Sequence, residues 1–395
     1  MSEALEPPTY EEALLPSSSS AERSLDEQIL HIPAAHLPLP QGEFIVSSNN
    51  GHARLRLSGQ EEDIELPVYG IGGEVSGIVE LAKTDSILSV DVTVEGRIKV
   101  HELGEGGQID TPILLGSVQL WTKADNASPC PSTFSFSVTL PRSFESEGKT
   151  YPLPPSHSAQ LKGVPGFDAG INYWISVSIK SKKFGLAIGG NTLSTPFIYY
   201  PRTSPVHSLP APLEWAKKGF TEQVGWKAYT YAIKTYPKSG LANIIVKLYV
   251  PASRAFWVSD SIPFHISFES ESDKTITEFQ PFGPAGALHA TRLQLIRQST
   301  SDVRGALVHN TKTNIWRTDS IGEGIFGPGT DGATWLSFSG HIPIEPVKVT
   351  GFSLRHFSVT DGFVLTVTPP DVTKSPFIGI RETIAVRLAT DPWLE

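Results

Sequence analysis

Hydrophobic and polar residues alternate with a period of two along much of the chain. Successive side chains of a β-strand point to opposite faces, so this alternation predicts strands with one buried and one solvated face. The longest run begins at Leu88 and keeps its parity past Gly96 to Val100. The other clear runs lie at residues 134–140, 171–179, 244–250 and 262–268. The pattern therefore predicts an all-β fold.

The strand runs form two blocks, separated by a proline-rich stretch with little periodicity. Repeated short strands with Gly/Pro turns are typical of antiparallel β-sandwiches. We predict two tandem antiparallel β-sandwiches behind a disordered N-terminal tail. The predicted segments are an acidic tail at 1–30, a first sandwich at 31–200, a connector at 201–213 and a second sandwich at 214–395.

Two local features refine this prediction. Pro263 lies inside a strand run and predicts an edge strand, because proline lacks the N–H that a second neighbouring strand needs. Trp215 and Phe220 lie among polar residues in Leu213–Glu222, a pattern that predicts one short helix.

Composition and charge narrow the class of protein. With 395 residues and 39% hydrophobic residues, the chain can fill two cores. The net charge is −9, and the first thirty residues hold seven carboxylates against Arg23 alone. This balance argues against nucleic-acid binding. A single cysteine, an acidic N-terminus and the lack of an apolar run of about 20 residues predict a soluble cytoplasmic protein.

The residues of an enzyme site are not grouped in this sequence. Gly322 to Gly327 matches G-x-G-x-x-G, but Pro328 follows where phosphate binding would need a helix, which predicts a glycine-rich loop. The eleven histidines are scattered, and Cys130 has no basic neighbour in sequence. We therefore predict a protein that is not an enzyme and that holds no metal and no cofactor.

One sharp motif stands in the predicted tail: Pro7-Pro8-Thr9-Tyr10 is a PPxY sequence. Consecutive prolines favour an extended polyproline conformation, which WW domains bind. We predict Pro7, Pro8 and Tyr10 as WW-domain contacts. The alternative is a proline-rich linker with an incidental tyrosine.

A basic run, Lys180-Ser181-Lys182-Lys183, follows the strand at 171–179. Lys180, Lys182 and Lys183 fit a contact with anionic lipid or an acidic cargo tail. They fit a solvated strand end equally well.

Taken in order, several segments resemble the α-arrestin family. In the first block these are residues 69–81 (YGIGGEVSGIVEL), 87–100 with the late Gly96, 134–141, 153–156 (LPPS) and 171–175 (INYWI). In the second block they are residues 243–251, 259–264 (SDSIPF) and 371–388. The resemblance covers about residues 52–390. The chain differs from the family pattern in having one PPxY near the N-terminus rather than copies in a C-terminal tail.

The resemblance implies two arrestin-like sandwiches and an adaptor function. Such adaptors use PPxY to recruit WW-domain HECT-type ubiquitin ligases to plasma-membrane transporters or receptors, which are then ubiquitinated and endocytosed. The implied location is the cytoplasm, with recruitment to the plasma membrane and endosomes. Pro7, Pro8 and Tyr10 would be the ligase contacts.

Two alternatives remain open. An arrestin-fold sorting scaffold would act through coat partners without recruiting a ligase. A glycan-binding β-sandwich would use some of the eight tryptophans and ten tyrosines as a sugar platform.

Overall fold

The structure is a computed structural model. It describes residues 27–29, 42–104, 107–126, 128–183, 186–215, 219–271, 276–282, 290–303, 314–369, 371 and 373–394, with side chains except at 27–29 and 183–190. The described residues form β-strands and one short 3-10 helix, Ile276–Phe279. The all-β prediction is confirmed.

In the described part of the chain, fourteen strands precede residue 206. They are β1 (Glu27–Ile29), β2 (Gly42–Ser47), β3 (Ala53–Gln60), β4 (Val68–Tyr69), β5 (Glu74–Leu81), β6 (Ile87–Leu103), β7 (Gly107–Thr122), β8 (Thr133–Thr139), β9 (Ser143–Ser146), β10 (Lys149–Pro152), β11 (His157–Leu161), β12 (Gly166–Lys183), β13 (Leu186–Tyr199) and β14 (Thr203–Pro205).

Eleven strands follow. They are β15 (Trp226–Ile233), β16 (Ile244–Pro251), β17 (Ala255–Trp257), β18 (Ser261–Glu269), β19 (Thr291–Ser301), β20 (Ile315–Glu323), β21 (Ile325–Gly332), β22 (Trp335–Pro343), β23 (Phe352–Ser353), β24 (Phe357–Val367) and β25 (Ile380–Ala389).

The first sandwich consists of two sheets around a common core. One sheet has the order β2-β3-β5-β8, and the other has the order β4-β13-β12-β6-β7, with β11 also paired to β12. The predicted parity of β6 is confirmed from Val90 to Val100, where Val90, Val92, Val94, Ile98 and Val100 are all buried. It is wrong at Leu88, which is half-buried whereas Ser89 is buried. Gly96 on this strand opposes Tyr173 of β12. A Cβ at Gly96 would lie 2.5 Å from the Tyr173 ring, so glycine is required there.

The second sandwich pairs a sheet of order β15-β16-β18-β22-β21 with one of order β17-β25-β24-β19-β20. The edge position predicted from Pro263 is wrong, because β18 lies between β16 and β22. The pairing with β16 runs only from His265 to Glu269, whereas the pairing with β22 includes Pro263. The proline therefore lies beyond the paired part of β16, where its missing N–H costs no hydrogen bond to that strand.

The helix predicted at Leu213–Glu222 is wrong for the residues that the structure describes there. Gly219 has a φ of 75°, a left-handed conformation that interrupts a right-handed helix. The residues around it, 209–215 and 219–225, form an irregular layer over the outer face of the β16–β18–β22 sheet, which we call the cover segment. Its Leu213 and Phe220 form a small buried cluster with Trp226 of β15 and Tyr249 of β16.

The predicted connector is not irregular throughout, because it contains the short strand β14. Thr203, Ser204 and Pro205 are buried, and β14 pairs antiparallel with β1. The glycine-rich loop predicted at Gly322 to Gly327 is wrong, because Gly322 lies on β20, Gly327 lies on β21, and Gly324 alone joins the two strands. The domain boundaries given above stay a prediction.

Candidate functional site

The predicted WW-domain contacts Pro7, Pro8 and Tyr10 lie outside the described residues. Lys180 and Lys182 are exposed near the end of β12, and the side chain of Lys183 is among those that the structure does not describe. The backbone register shifts between Lys180 and Ser181, so the run lies at an irregular strand end. Contact of these lysines with an anionic partner stays a prediction.

The most developed site in the described residues is the junction between the two sandwiches. Four buried residues of the second sandwich belong to the hydrophobic core of the first. They are Val303, Phe352, Phe357 and Val359. The β23–β24 hairpin therefore completes the core of the other domain, and the two sandwiches share one apolar interior at this point.

Aromatic rings hold the hairpin in place. The Phe357 ring lies 6.1 Å from the rings of both His157 and Phe167, measured between centroids. His157 also meets Phe352 edge-on at 5.5 Å. These edge-on and stacked contacts give the junction a specific geometry in addition to apolar burial.

A buried carboxylate also accepts hydrogen bonds across the same junction, a set of contacts that we call the Glu102 tie. Glu102 lies near the end of β6 and is 0% exposed. Its Oε1 accepts a hydrogen bond from Ser301 Oγ at 2.7 Å and another from the Val303 backbone N–H at 2.8 Å. Because an unpaired buried carboxylate is costly, these two donors fix β6 to the end of β19.

Further polar contacts surround the apolar junction. Arg317 donates to the Gln160 backbone carbonyl at 3.0 Å. Arg355 forms an ion pair with Glu147 at the tip of the β9–β10 hairpin. These partners are exposed, so they orient the two sandwiches more than they stabilise them.

A buried ion pair lies within the second sandwich, on the two strands that reach the junction. Arg297 on β19 donates from Nε and Nη2 to the two carboxylate oxygens of Asp361 on β24, at 2.7 and 2.8 Å. Its Nη1 donates to the Val349 carbonyl at 2.8 Å. Burial, together with the charge of Arg297, lowers the pKa of His157 to about 4. His157 is therefore neutral near pH 7.

A second buried histidine lies beneath the cover segment. His265 Nε2 accepts a hydrogen bond from the Leu213 backbone N–H at 3.1 Å, and Nδ1 lies 2.8 Å from Ser339 Oγ. Burial lowers the pKa of His265 to about 4. Since Nε2 already accepts a hydrogen bond, Nδ1 carries the proton and donates a hydrogen bond to Ser339 Oγ. This arrangement fixes the cover segment and does not activate the serine as a nucleophile.

Two kinds of feature are missing from the part of the chain that the structure describes. No group of three or more histidine, cysteine, aspartate or glutamate side chains in this part is arranged to hold a metal ion. No helix among these residues has the length and apolarity that crossing a membrane requires.

Sequence reasoning missed the junction, although one signal was present. Glu102 has the same parity on β6 as Ile98 and Val100, so it is a charged side chain at an inward position. Its partners Ser301 and Val303 lie about 200 positions further along the chain, and nothing in the local pattern points to them.

Comparison with known proteins gave three results. No family model matches the chain. No curated protein matches it. Among solved structures, one that is similar is the crystal structure of squid arrestin, with a TM-score of 0.38 and 8% sequence identity, over 89% of this chain and 98% of that chain. Values this low give no basis for assigning a function.

Proposed function

We propose that this chain is a non-enzymatic, arrestin-like adaptor that recruits a WW-domain HECT-type ubiquitin ligase and links it to membrane-protein cargo. The observation that carries the proposal is the Pro7-Pro8-Thr9-Tyr10 sequence ahead of two β-sandwiches. Polyproline segments followed by tyrosine fit the paired pockets of WW domains.

The junction supports the part of this proposal in which one protein holds ligase and cargo together. A shared apolar core and the hydrogen bonds of Glu102 favour a fixed relative placement of the two sandwiches. The buried Arg297–Asp361 pair joins β19 to β24, the two strands of the second sandwich that reach this junction. A fixed double sandwich offers a broad surface on which cargo and ligase can be held together. The cargo itself, a plasma-membrane transporter or receptor, is part of the proposal.

Calorimetric titration tests ligase recruitment directly. A peptide of residues 1–16 is titrated into a WW domain of a HECT-type ligase, beside Tyr10→Ala and Thr9→Ala peptides. We expect micromolar to tens-of-micromolar binding, about −6 to −8 kcal/mol. Tyr10→Ala should abolish it, whereas Thr9→Ala should preserve it because any residue fits the third position of the motif.

No binding by any of the three peptides would remove the ligase from the proposal. The double sandwich would then be better explained as a sorting scaffold that acts through coat partners.

A further inference from the structure

The strand β1 connects the N-terminal segment to the chain between the two sandwiches. Glu27, Gln28 and Ile29 pair antiparallel with Pro205, Ser204 and Thr203 of β14. This two-stranded ribbon is separate from the four larger sheets. The segment that precedes Gly42 thus meets the folded body at a defined place.

The other strand of this ribbon is bound to the second sandwich. The Thr203 backbone N–H donates to Thr390 Oγ1 at 2.9 Å, and the Asp391 N–H donates to the Thr203 carbonyl at 2.9 Å. Arg202 Nε lies 3.1 and 3.0 Å from the two Asp391 carboxylate oxygens. Because β14 also follows β13 of the first sandwich after three residues, it is held from both sides.

We infer that β1 anchors the PPxY segment at the connector, so that a bound WW domain is held near the junction of the two sandwiches. This inference rests on the proposed ligase recruitment. Tyr10 precedes Glu27 by 17 positions and Gly42 by 32. At most about 3.6 Å per residue, the WW domain can move no further than about 60 Å from β1, against about 115 Å if the chain were first fixed at β2.

The shorter attachment also raises the local concentration of the ligase. Effective concentration falls roughly as the −3/2 power of the length of the connecting chain, so anchoring at Glu27 rather than Gly42 raises it about 2.6-fold. For a protein with one PPxY motif, this gain applies to every acceptor lysine or cargo tail near the connector.

The pairing is tested in the full chain by hydrogen exchange. Gln28→Pro removes a backbone N–H and constrains φ in the middle of β1, whereas Gln28→Val keeps both the N–H and a strand-favouring side chain. The Thr203 N–H and C=O face Thr390 and Asp391, so the Ser204 amide faces β1. We expect the Ser204 amide to exchange at least tenfold faster in Gln28→Pro than in the parent chain or Gln28→Val. Equal exchange in all three chains would overturn the inference.

Energy transfer tests where the ligase is held. A donor is placed on the WW domain and an acceptor on a cysteine introduced at exposed His207, two residues after β14, with the native Cys130 buried. We expect Gln28→Pro to bind the WW domain with an unchanged Kd but with lower transfer efficiency. Unchanged efficiency would refute anchoring. If the WW domain binds none of the chains, the proposed function fails, and the exchange comparison still decides whether β1 is anchored.

Discussion

Replacing Phe357 tests whether the two sandwiches depend on one interior. The ring is 2% exposed, belongs to the second sandwich and packs in the core of the first. Removing a buried phenylalanine side chain costs about 3–5 kcal/mol, since apolar burial is lost and a cavity remains. We expect Phe357→Ala to lower the free energy of unfolding by that amount.

Phe363→Ala is the matched control. Phe363 lies on the same strand, is 1% exposed and packs against Phe256 within the core of the second sandwich alone. Both variants should lose a similar free energy, but only Phe357→Ala should separate the unfolding of the two sandwiches. Calorimetry and denaturant unfolding followed by tryptophan fluorescence measure both quantities.

Two results would contradict this reasoning. The first is a loss below about 1 kcal/mol in Phe357→Ala, which would mean that the ring is not packed as described. The second is identical coupling of the two transitions in Phe357→Ala and Phe363→Ala, which would mean that the junction does not carry the coupling.

Three further predictions concern buried ionisable side chains, and each is measured as a change in the free energy of unfolding by urea. Glu102→Ala should cost about 1–3 kcal/mol for each of the two donors left without an acceptor, and Glu102→Gln less, since it keeps a carbonyl oxygen; equal losses would argue against the tie. Arg297→Ala should cost about 3–5 kcal/mol, whereas Arg297→Met combined with Asp361→Leu should recover most of it; a double variant as unstable as the single one would refute this. The pKa of His265 is about 4 in the folded chain and about 6.5 in the unfolded chain, so the unfolded chain binds more protons between these pH values. The free energy of unfolding should therefore fall as the pH decreases through this window, and it should fall less steeply in His265→Gln. Equal slopes in the two proteins would contradict the assignment.

The strands were predictable where one face is buried and the other is wet. β6 and β12 follow this rule over most of their length, and their buried positions match the predicted parity. On β18 hydrophobic and polar residues also alternate, but both faces are covered, and the polar residues His265 and Ser267 are buried beneath the cover segment. The local pattern records that a face is covered but not which distant segment covers it.

The candidate site was predictable only in part. The PPxY sequence is a local motif and can be read directly, although its residues lie outside the described part of the chain. The junction is made by residues about 200 positions apart, such as Glu102 and Ser301, and depends on tertiary packing. The error at Pro263 has the same origin, because the extent of pairing with a neighbouring strand decides whether a missing N–H matters.

The shared interior also constrains how the protein is made. The first sandwich is translated as far as Tyr199 well before Phe352 and Phe357, which complete its core. Ribosomes add about 5–20 residues per second, so the roughly 150 residues in between take on the order of 8–30 s. During that interval the nascent first sandwich presents the apolar face around Phe167 to the cell. Molecular chaperones are therefore expected to bind it until the second half emerges.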